Sequence, residues 1–232
     1  ATGRGVMYTT KNILKKMGIP AEGTTVAIQG MGNVGSITAK LLHREGMKII
    51  AVSDVSGGIY RPEGLNVPAI LDYLSLNRKN LLKDYTEEGM SRITNEELLE
   101  MDARVLVPAA LENQINASNA HKIRAEIIVE AANGPVAADA DEILRDRGIT
   151  VVPDILANAG GVVVSYFEWV QNIQSVSWTE EEVNEKLKDI MDPAFEAVWD
   201  ISQKQNATMR TGAYLIAVKR VVEAKAARAI WP

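Results

Sequence analysis

Residues 24–54 have the sequence TTVAIQGMGNVGSITAKLLHREGMKIIAVSD, and this stretch decides the fold. It opens on residues 24–28, which are β-branched except for one alanine and are typical of a buried strand. Residues 33–44 then place apolar side chains at helical spacing, and Gly46 ends that pattern. A second β-rich run covers residues 48–53. The order predicts a strand, a helix and a second strand, which is the repeating unit of a parallel sheet.

A glycine-rich loop, Gly30-Met31-Gly32-Asn33-Val34-Gly35, joins the first strand to the helix. Gly30 permits a tight turn, Gly32 lets backbone amides approach a pyrophosphate, and Gly35 lets the helix pack closely on the strand. The helix N-terminus would face the phosphates with free N–H groups and a partial positive charge. Three glycines cost backbone entropy that a plain turn does not require, so the loop predicts a dinucleotide site.

Asp54 ends the second strand, at the place where such folds bind the adenosine ribose. Its carboxylate could accept hydrogen bonds from both ribose hydroxyls. A 2′-phosphate would meet its charge, and two like unit charges ~4 Å apart repel by roughly 4 kcal/mol at an effective dielectric near 20. The sequence therefore predicts NAD as the coenzyme in preference to NADP. Arg61 leaves an alternative open, because it could fold back and accept a phosphate.

The alternation of short β-rich runs with helical segments continues beyond this unit. It predicts an α/β fold, a Rossmann-like, doubly wound and mostly parallel sheet. The glycine pair Gly57-Gly58 and residues 61–64 are predicted as turns. Further strands are predicted at residues 104–107, 127–130 and 150–152, and helices at residues 6–17, 68–76, 113–122 and 137–147 and after Gly161.

Two capping boxes and a helical last third complete the pattern. Thr94 with Glu97 and Thr179 with Glu182 each have the spacing that starts a helix, and Pro193 is expected to kink the helix that follows the second box. We predict that residues 1–232 form a single dinucleotide-binding domain. Its Rossmann-like core covers about residues 1–170, and the C-terminal helices of about residues 171–232 pack on that core.

Composition excludes several classes of function. The chain has 232 residues, with 25 Lys+Arg against 30 Asp+Glu, a formal net charge of −5, two His and no Cys. A disulfide framework, a thiol nucleophile and a cysteine zinc site are therefore excluded, and His43 and His121 are predicted to be surface residues. We expect no metal site, no nucleic-acid partner because no basic stripe is present, no membrane segment, and a cytoplasmic location.

Five motifs occur in an order that resembles the C-terminal, coenzyme-binding half of bacterial glutamate dehydrogenases, in the Glu/Leu/Phe/Val dehydrogenase family. The resemblance spans nearly all residues and extends to the ending Ala229-Ile230-Trp231-Pro232. It implies an N-terminal domain, outside this chain, that carries the catalytic lysines and aspartate and most of the oligomer contacts. The motifs are residues 1–5 (ATGRG), 30–35 (GMGNVG), 108–112 (PAALE), 131–135 (AANGP) and 158–162 (NAGGV).

The resemblance implies a coenzyme role for residues in each of these motifs. Thr2 would approach the nicotinamide side, Asn133 the nicotinamide ribose and Asn158 the carboxamide. The complete set of implied coenzyme residues is Thr2, Gly30, Gly32, Asn33, Val34, Gly35, Asp54, Ala109, Ala110, Asn113, Asn133 and Asn158. These loops follow successive predicted strands, and ligands of open α/β sheets bind at the carboxyl ends of strands.

The implied reaction is the reversible oxidative deamination of L-glutamate to 2-oxoglutarate and ammonia, with hydride transfer to NAD. Val162 and Ser165 would line the substrate pocket, and the Ser165 hydroxyl favours an acidic substrate over leucine. No catalytic residue is predicted within the chain, because its lysines fall on predicted solvated helix faces. We expect the chain alone to bind NAD without turnover as a monomer or weak dimer, and the complete enzyme to be a homo-hexamer.

Two alternatives stay open. One is the coenzyme domain of a leucine, phenylalanine or valine dehydrogenase. The other is a non-catalytic NAD-sensing module, which would keep the loop at residues 30–35 but would not require Asn158 or Ser165. Asp154 is interpreted as a helix cap and is given no catalytic role.

Overall fold

The computed structural model describes residues 1–228, so the predicted C-terminal ending at residues 229–232 lies outside the described residues. Within residues 1–228 one sheet is flanked by helices on both faces. Its strands are β1 (Thr25–Gln29), β2 (Lys48–Asp54), β3 (Gly57–Tyr60), β4 (Ser91–Ile93), β5 (Val105–Pro108), β6 (Ile127–Val129) and β7 (Thr150–Val152). The helices are α1 (Thr2–Lys16), α2 (Asn33–Arg44), α3 (Val67–Leu76), α4 (Asn95–Leu99), α5 (Ala138–Asp146), α6 (Asp154–Ala157), α7 (Gly160–Gln174), α8 (Glu180–Gln205) and α9 (Met209–Ala227).

The strand order across the sheet is β4-β3-β2-β1-β5-β6-β7. Strands β1, β2, β5, β6 and β7 are parallel, whereas β3 and β4 are antiparallel additions at one edge. The chain runs from β1 to β2 on one side and returns to β5 on the other side of β1. The predicted Rossmann-like, mostly parallel α/β fold is confirmed, and the order places a topological switch point, where ligands of such sheets bind, at the carboxyl end of β1.

The predicted strand–helix–strand unit is confirmed, and its helix has the predicted bounds. Helix α2 spans Asn33–Arg44, and β1 and β2 lie within one residue of the predicted limits. Both capping boxes are also present: the Thr94 hydroxyl accepts from the Glu97 amide and the Thr179 hydroxyl from the Glu182 amide. Local sequence signals are therefore sufficient where polar caps and glycine stops bracket an apolar pattern.

Two local predictions are wrong. The glycine pair Gly57-Gly58 belongs to strand β3, because the turn after β2 lies one step earlier, at residues 55–56. The segment 113–122 forms only a short 3₁₀ turn, Ala120–Lys122, instead of a helix. Its Asn and Ser side chains bond to nearby backbone groups, as when Asn119 Oδ1 accepts from the Asn116 amide at 2.9 Å, and such bonds compete with a helix.

Each face of the sheet buries its own apolar cluster. The larger cluster contains Val6, Ile13 and Leu14 of α1, with strand residues such as Ile28. The opposite face packs against α4, α5 and the connection around Ile115. The sheet is thus covered on both sides, as its nearly continuous buried strands require.

The last two helices contribute to the larger cluster. Phe195 of α8 is fully buried there, together with Met209 and Ala213 of α9. Helix α8 continues through Pro193 to Gln205, and it is tied to α1 where Asn12 Nδ2 donates to Asp192 Oδ1 at 2.8 Å. Among the described residues, no helix combines the length and apolar character that a membrane crossing requires.

Candidate functional site

A groove of about 830 Å³ lies at the carboxyl edge of the sheet. The loops after β5 and β6 form part of its wall, and the start of α7 forms another part. Many of the predicted site residues meet there even though they come from distant parts of the chain. Those that line the groove are Thr2, Val34, Ala109, Ala110, Asn133, Asn158, Val162 and Ser165.

The remaining predicted residues lie around this groove. Asn33 lines an adjoining cavity of about 380 Å³, which shares Thr2 and Val34 with the groove. Gly30, Gly32 and Gly35 form the loop at the entrance to α2. Asp54 and Asn113 line neither of these two cavities.

Two glycines of the loop are required by packing. A Cβ on Gly35 would lie 1.8 Å from the Gly30 carbonyl oxygen, so the helix can approach the strand only without a side chain there. Gly30 has φ +95°, and its Cβ would meet the Ala109 backbone at 3.0 Å. Both observations agree with the roles predicted for these positions.

Gly32 is different, because a Cβ built there meets no atom of residues 1–228 within 4 Å. It is the N-cap of α2 and has ordinary extended backbone angles, with φ −75° and ψ −163°. No side chain of the described residues caps this N-terminus, so the first amides of α2 are left to bond to an external acceptor. Open space beside uncapped amides is the arrangement that an anionic group such as a pyrophosphate requires.

Asp54 is engaged in the turn that follows β2. Its Oδ1 accepts from the Ser56 amide at 2.7 Å and from the Ser56 hydroxyl at 2.5 Å, and its Oδ2 accepts from the Leu82 amide at 2.7 Å. The carboxylate thus holds a hairpin against residues 82–84 and keeps only its remaining lone pairs for a ligand.

Arg61, which could have offered a charge to a phosphate, is paired within the protein. Its Nη1 lies 3.3 Å from Glu87 Oε1, and its Nε lies 3.8 Å from Glu63 Oε2. Glu87 also accepts a hydrogen bond from the Tyr85 hydroxyl at 2.8 Å. Burial and this hydrogen bond to Glu87 raise the pKa of Tyr85 to about 12.

The loops after β5 and β6 are joined by backbone hydrogen bonds. Asn113, with φ +56°, donates its amide to the Gly134 carbonyl at 2.8 Å, and the Ile115 amide donates to the Pro135 carbonyl at 2.9 Å. Asn113 therefore supports the neighbouring loop through its backbone amide. Its backbone is in the left-handed region, which asparagine tolerates better than most residues.

Asn133 and Asn158 are in direct contact within the groove. Asn158 Nδ2 donates to Asn133 Oδ1 at 2.7 Å and to the Ala132 carbonyl at 3.3 Å. Asn133 is exposed and Asn158 is half-buried, so the pair presents polar groups to the groove. Residues after two different strands are thereby set in one orientation.

The N-terminal part of α7 forms the outer wall. Val162 is 75% exposed, and the exposed Ser165 donates its hydroxyl to the Gly161 carbonyl of its own helix at 3.0 Å. Thr2 lies so close to Gly161 that a Cβ there would be 2.5 Å from the Thr2 hydroxyl oxygen. The start of α1 and the start of α7 therefore need a small residue between them.

The interpretation of Asp154 as a helix cap is wrong. The N-cap of α6 is Pro153, and Asp154 is the first residue of the helix, where its Oδ1 accepts from the Ile155 amide at 2.7 Å. Its Oδ2 accepts from the Gly134 amide at 2.8 Å. Asp154 thus holds the loop that carries Asn133.

Glu130 and Arg210 were missed by sequence reasoning, although they join this same region. Glu130 is fully buried at the end of β6, and Arg210 Nη2 donates to its Oε1 at 2.7 Å. Burial raises the pKa of Glu130, and the hydrogen bond from Arg210 opposes that rise. A glutamate at the end of a buried apolar strand was the available signal, since a buried charge needs a partner.

The described residues favour binding over acid–base chemistry. Among the residues that line the large groove, Glu112 is the only ionisable side chain, and the remainder are apolar or neutral. Lysines predicted to lie on solvated helix faces are exposed, for example Lys11 beside Glu45 and Lys188 beside Asp192. Within residues 1–228, no group of three His, Cys, Asp or Glu side chains could hold a metal ion.

Comparison with known proteins identifies the relatives of this chain. The profile of the Glutamate/Leucine/Phenylalanine/Valine dehydrogenase family matches residues 1–229. The chain is 49% identical to the cryptic catabolic NAD-specific glutamate dehydrogenase of Bacillus subtilis, over 97% of this chain and 51% of that protein. It is 46% identical to the NADP-specific glutamate dehydrogenase of Synechocystis, over 98% of this chain and 54% of that protein.

A solved structure with the same fold is the hetero-hexameric glutamate dehydrogenase of Thermus thermophilus in its Leu-bound form. The TM-score is 0.91 at 32% identity, and the match covers 100% of this chain and 54% of that one. The chain therefore spans about half the length of the relatives it matches. By its sequence profile, its relatives and its fold, the chain belongs to the Glutamate/Leucine/Phenylalanine/Valine dehydrogenase family.

Proposed function

We propose that this chain is the coenzyme-binding part of an NAD-linked glutamate dehydrogenase, which converts L-glutamate reversibly to 2-oxoglutarate and ammonia. The observation that carries the proposal is the groove at the carboxyl edge of the sheet, which an asparagine pair from two loops lines together with Val34 in the first turn of α2. The names of the relatives support glutamate as the substrate of the complete enzyme.

The residues present fit a nicotinamide coenzyme. The uncapped amides beside Gly32 suit the pyrophosphate, and the asparagine pair offers both donors and acceptors to the nicotinamide ribose and carboxamide. When bound, the coenzyme supplies the hydride acceptor, and the protein supplies binding and orientation. The chain's own contribution is to orient the nicotinamide half with Asn133, Asn158 and Thr2.

We propose NAD in preference to NADP as the coenzyme. The support is the negative charge of Asp54 at the end of β2, together with the pairing of Arg61 to Glu87, which occupies the arginine that a 2′-phosphate would use. Relatives named NAD-specific and NADP-specific are similarly distant from this chain, so relatedness alone does not favour either coenzyme.

We further propose that glutamate binds at the end of the groove lined by Val162 and Ser165. A hydroxyl on an otherwise apolar helix face suits a carboxylate better than a leucine side chain. The chain alone would bind the coenzyme without turnover, since the groove offers no lysine or histidine among the described residues. We propose a hexamer for the complete enzyme, in line with the hexameric solved neighbour, and a monomer or weak dimer for this chain.

Calorimetric titration of this chain with NAD and with NADP tests the coenzyme assignment. We expect NAD to bind more tightly, and comparable affinities would remove the argument from Asp54. No binding of either coenzyme would refute the proposed function. Glutamate-dependent reduction of NAD by this chain alone would refute the division of labour proposed for it.

The substrate assignment is tested in the complete enzyme with glutamate, leucine and phenylalanine. A preference for leucine or phenylalanine would place the protein with those dehydrogenases instead.

Asn158→Ala, assayed on this chain, separates an enzyme domain from an NAD-sensing module. We expect it to weaken NADH binding and to reduce the change in nicotinamide fluorescence, neither of which a sensing module requires.

A further inference from the structure

Helix α9 reaches the site through one arginine. Arg210, in the first turn of α9, donates from Nη2 to Glu130 at 2.7 Å, from Nε to Asp141 at 2.6 Å, and from Nη1 to Asp154 at 3.5 Å. A single guanidinium thus bridges three carboxylates on separate elements, which its planar fork of donors allows and a lysine would not.

The buried carboxylate of Glu130 links Arg210 to the backbone, because it also accepts hydrogen bonds from two backbone amides. Its Oε2 accepts from the Asp154 amide at 2.7 Å, and its Oε1 accepts from the Val136 amide at 3.3 Å as well as from Arg210. Because Glu130 is fully buried, its charge is tolerated only while these donors stay in place. Burial lowers the pKa of Arg210, but its hydrogen bonds to Glu130 and Asp141 outweigh burial and raise it, so the arginine stays charged.

Asp154 completes the path to the groove. Its carboxylate accepts from the Gly134 amide at 2.8 Å, directly beside Asn133, and Asp154 begins the short helix α6, after which Asn158 follows. The Asp154 carboxylate therefore holds the loop that carries Asn133, and the Asp154 backbone carbonyl accepts from the Asn158 amide at 3.0 Å. Arg210, Glu130 and Asp154 do not line the groove themselves, so any effect on a ligand acts through the residues they hold.

We propose that Arg210, Glu130 and Asp154 form a positioning clamp that sets Asn133 and Asn158 for the nicotinamide half of the coenzyme. This inference rests on the proposed function. The three residues are positioning residues, not catalytic ones. Their contacts concern the loop after β6 and the start of α6, whereas the glycine-rich loop that would hold the pyrophosphate is built from β1 and α2. Loss of the clamp therefore weakens binding of the nicotinamide half and spares the adenosine half.

Comparing NADH with ADP, which lacks the nicotinamide half, tests the clamp in Asp154→Ala. We expect NADH affinity to fall by roughly three- to tenfold, the equivalent of one lost hydrogen bond, and ADP affinity to change by less than about twofold. The NADH fluorescence change on binding should fall in parallel. Asp154→Asn keeps an acceptor for the Gly134 amide, and we expect it to restore most of the NADH affinity.

Asp146→Ala is the matched control, because Asp146 is exposed on α5 and, within residues 1–228, forms a salt bridge only with its neighbour Arg145. We expect this control to bind both ligands as the native chain does. Equal losses for NADH and ADP in Asp154→Ala would show a general structural role and overturn the clamp, as would unchanged NADH affinity. If the native chain binds neither NADH nor ADP, both the proposed function and the clamp are refuted. If the native chain binds both ligands, the variants test the clamp alone.

Arg210→Lys provides an independent variant that keeps the charge but loses the fork. A lysine cannot reach Glu130, Asp141 and Asp154 together, so we expect the same selective loss of NADH affinity in a chain that still unfolds cooperatively. Arg145→Lys is the control on an exposed face. Native NADH affinity in Arg210→Lys would show that the fork does not position the site, and would overturn the arginine's part in the clamp.

Discussion

The glycines of the loop between β1 and α2 are needed for different physical reasons, and each reason can be tested. A Cβ on Gly35 would overlap the Gly30 carbonyl oxygen at 1.8 Å, whereas a Cβ on Gly32 would meet no atom within 4 Å in the part of the chain that the structure describes. We expect Gly35→Ala to lower the free energy of unfolding by about 1–3 kcal/mol, because α2 must move away from the strand. Urea denaturation followed by circular dichroism measures this loss.

Gly32→Ala should show the opposite behaviour. We expect the free energy of unfolding to change by less than about 0.5 kcal/mol, since the new methyl group meets open space and the backbone φ of residue 32 is compatible with alanine. NADH affinity should fall roughly tenfold, because the methyl group keeps the coenzyme from the first amides of α2. Unchanged NADH affinity in a stable Gly32→Ala chain would mean that the pyrophosphate does not bind at this helix start.

The raised pKa of Tyr85 predicts how the free energy of unfolding depends on pH in alkaline solution. Burial and the hydrogen bond to Glu87 raise its pKa from 10.0 to about 12 in the folded chain. The folded state therefore holds the phenolic proton more tightly than the unfolded state, and this contribution to stability is full below pH 10.0 and is lost as pH rises through about 12. Tyr85→Phe should have a lower free energy of unfolding at neutral pH and a shallower decline across that range.

The measurement is the difference in tyrosinate absorbance between the native chain and Tyr85→Phe, together with urea denaturation at several pH values. Tyr214→Phe controls for the loss of a tyrosine hydroxyl at the surface, since Tyr214 is 54% exposed. A difference spectrum with its midpoint near pH 10 would contradict the proposed coupling to Glu87.

At the scale of elements, local signals were sufficient for some segments and insufficient for others. Helix α2 was predicted with its full bounds because a glycine-rich start and Gly46 enclose a regular apolar pattern. The segment 113–122 has a composition that also allows a helix, but Asn119 and its neighbours satisfy the backbone locally. Strand β4 was missed because its residues 91–93 are mostly exposed and form a strand only by pairing with β3.

Helix α8 depends on a cap at its start. The Thr179 hydroxyl accepts from the Glu182 amide, while the Glu182 carboxylate accepts from the Thr179 amide at 2.7 Å. We expect Thr179→Ala to lower the free energy of unfolding by about 1 kcal/mol, and Thr179→Ser to restore most of that loss. Thermal and urea denaturation measure both variants. Equal stability of the native and Thr179→Ala chains would show that the cap is redundant with the packing of α8.

At the scale of the whole molecule, the site could be predicted from sequence where its residues are defined by short motifs. Parallel strands bring their carboxyl ends to one edge, so the order of the predicted strands was enough to place the groups after β5 and β6 together. The contact of Arg210 with Glu130 could not be predicted, because 80 residues separate them and neither lies in a recognisable motif. The hydrogen bonds of Asp54 to Ser56 and Leu82 were missed for a different reason, because residue type indicates charge and not hydrogen-bond partners.

Phe195 tests whether the helical layer and the sheet fold as one unit, as we propose for the single domain. Its side chain is fully buried in the same cluster as the strands, so Phe195→Ala should lower the free energy of unfolding by about 3–5 kcal/mol. We expect the helical signal in circular dichroism and NADH binding to be lost in one coincident urea transition, because α8 and the site then share one core. Leu187→Ala is the comparison, since Leu187 lies in a smaller cluster with Phe167 and Met191. If part of the helical signal were lost before NADH binding in Phe195→Ala, α8 and α9 would form a separate folding unit and the single-domain proposal would be wrong.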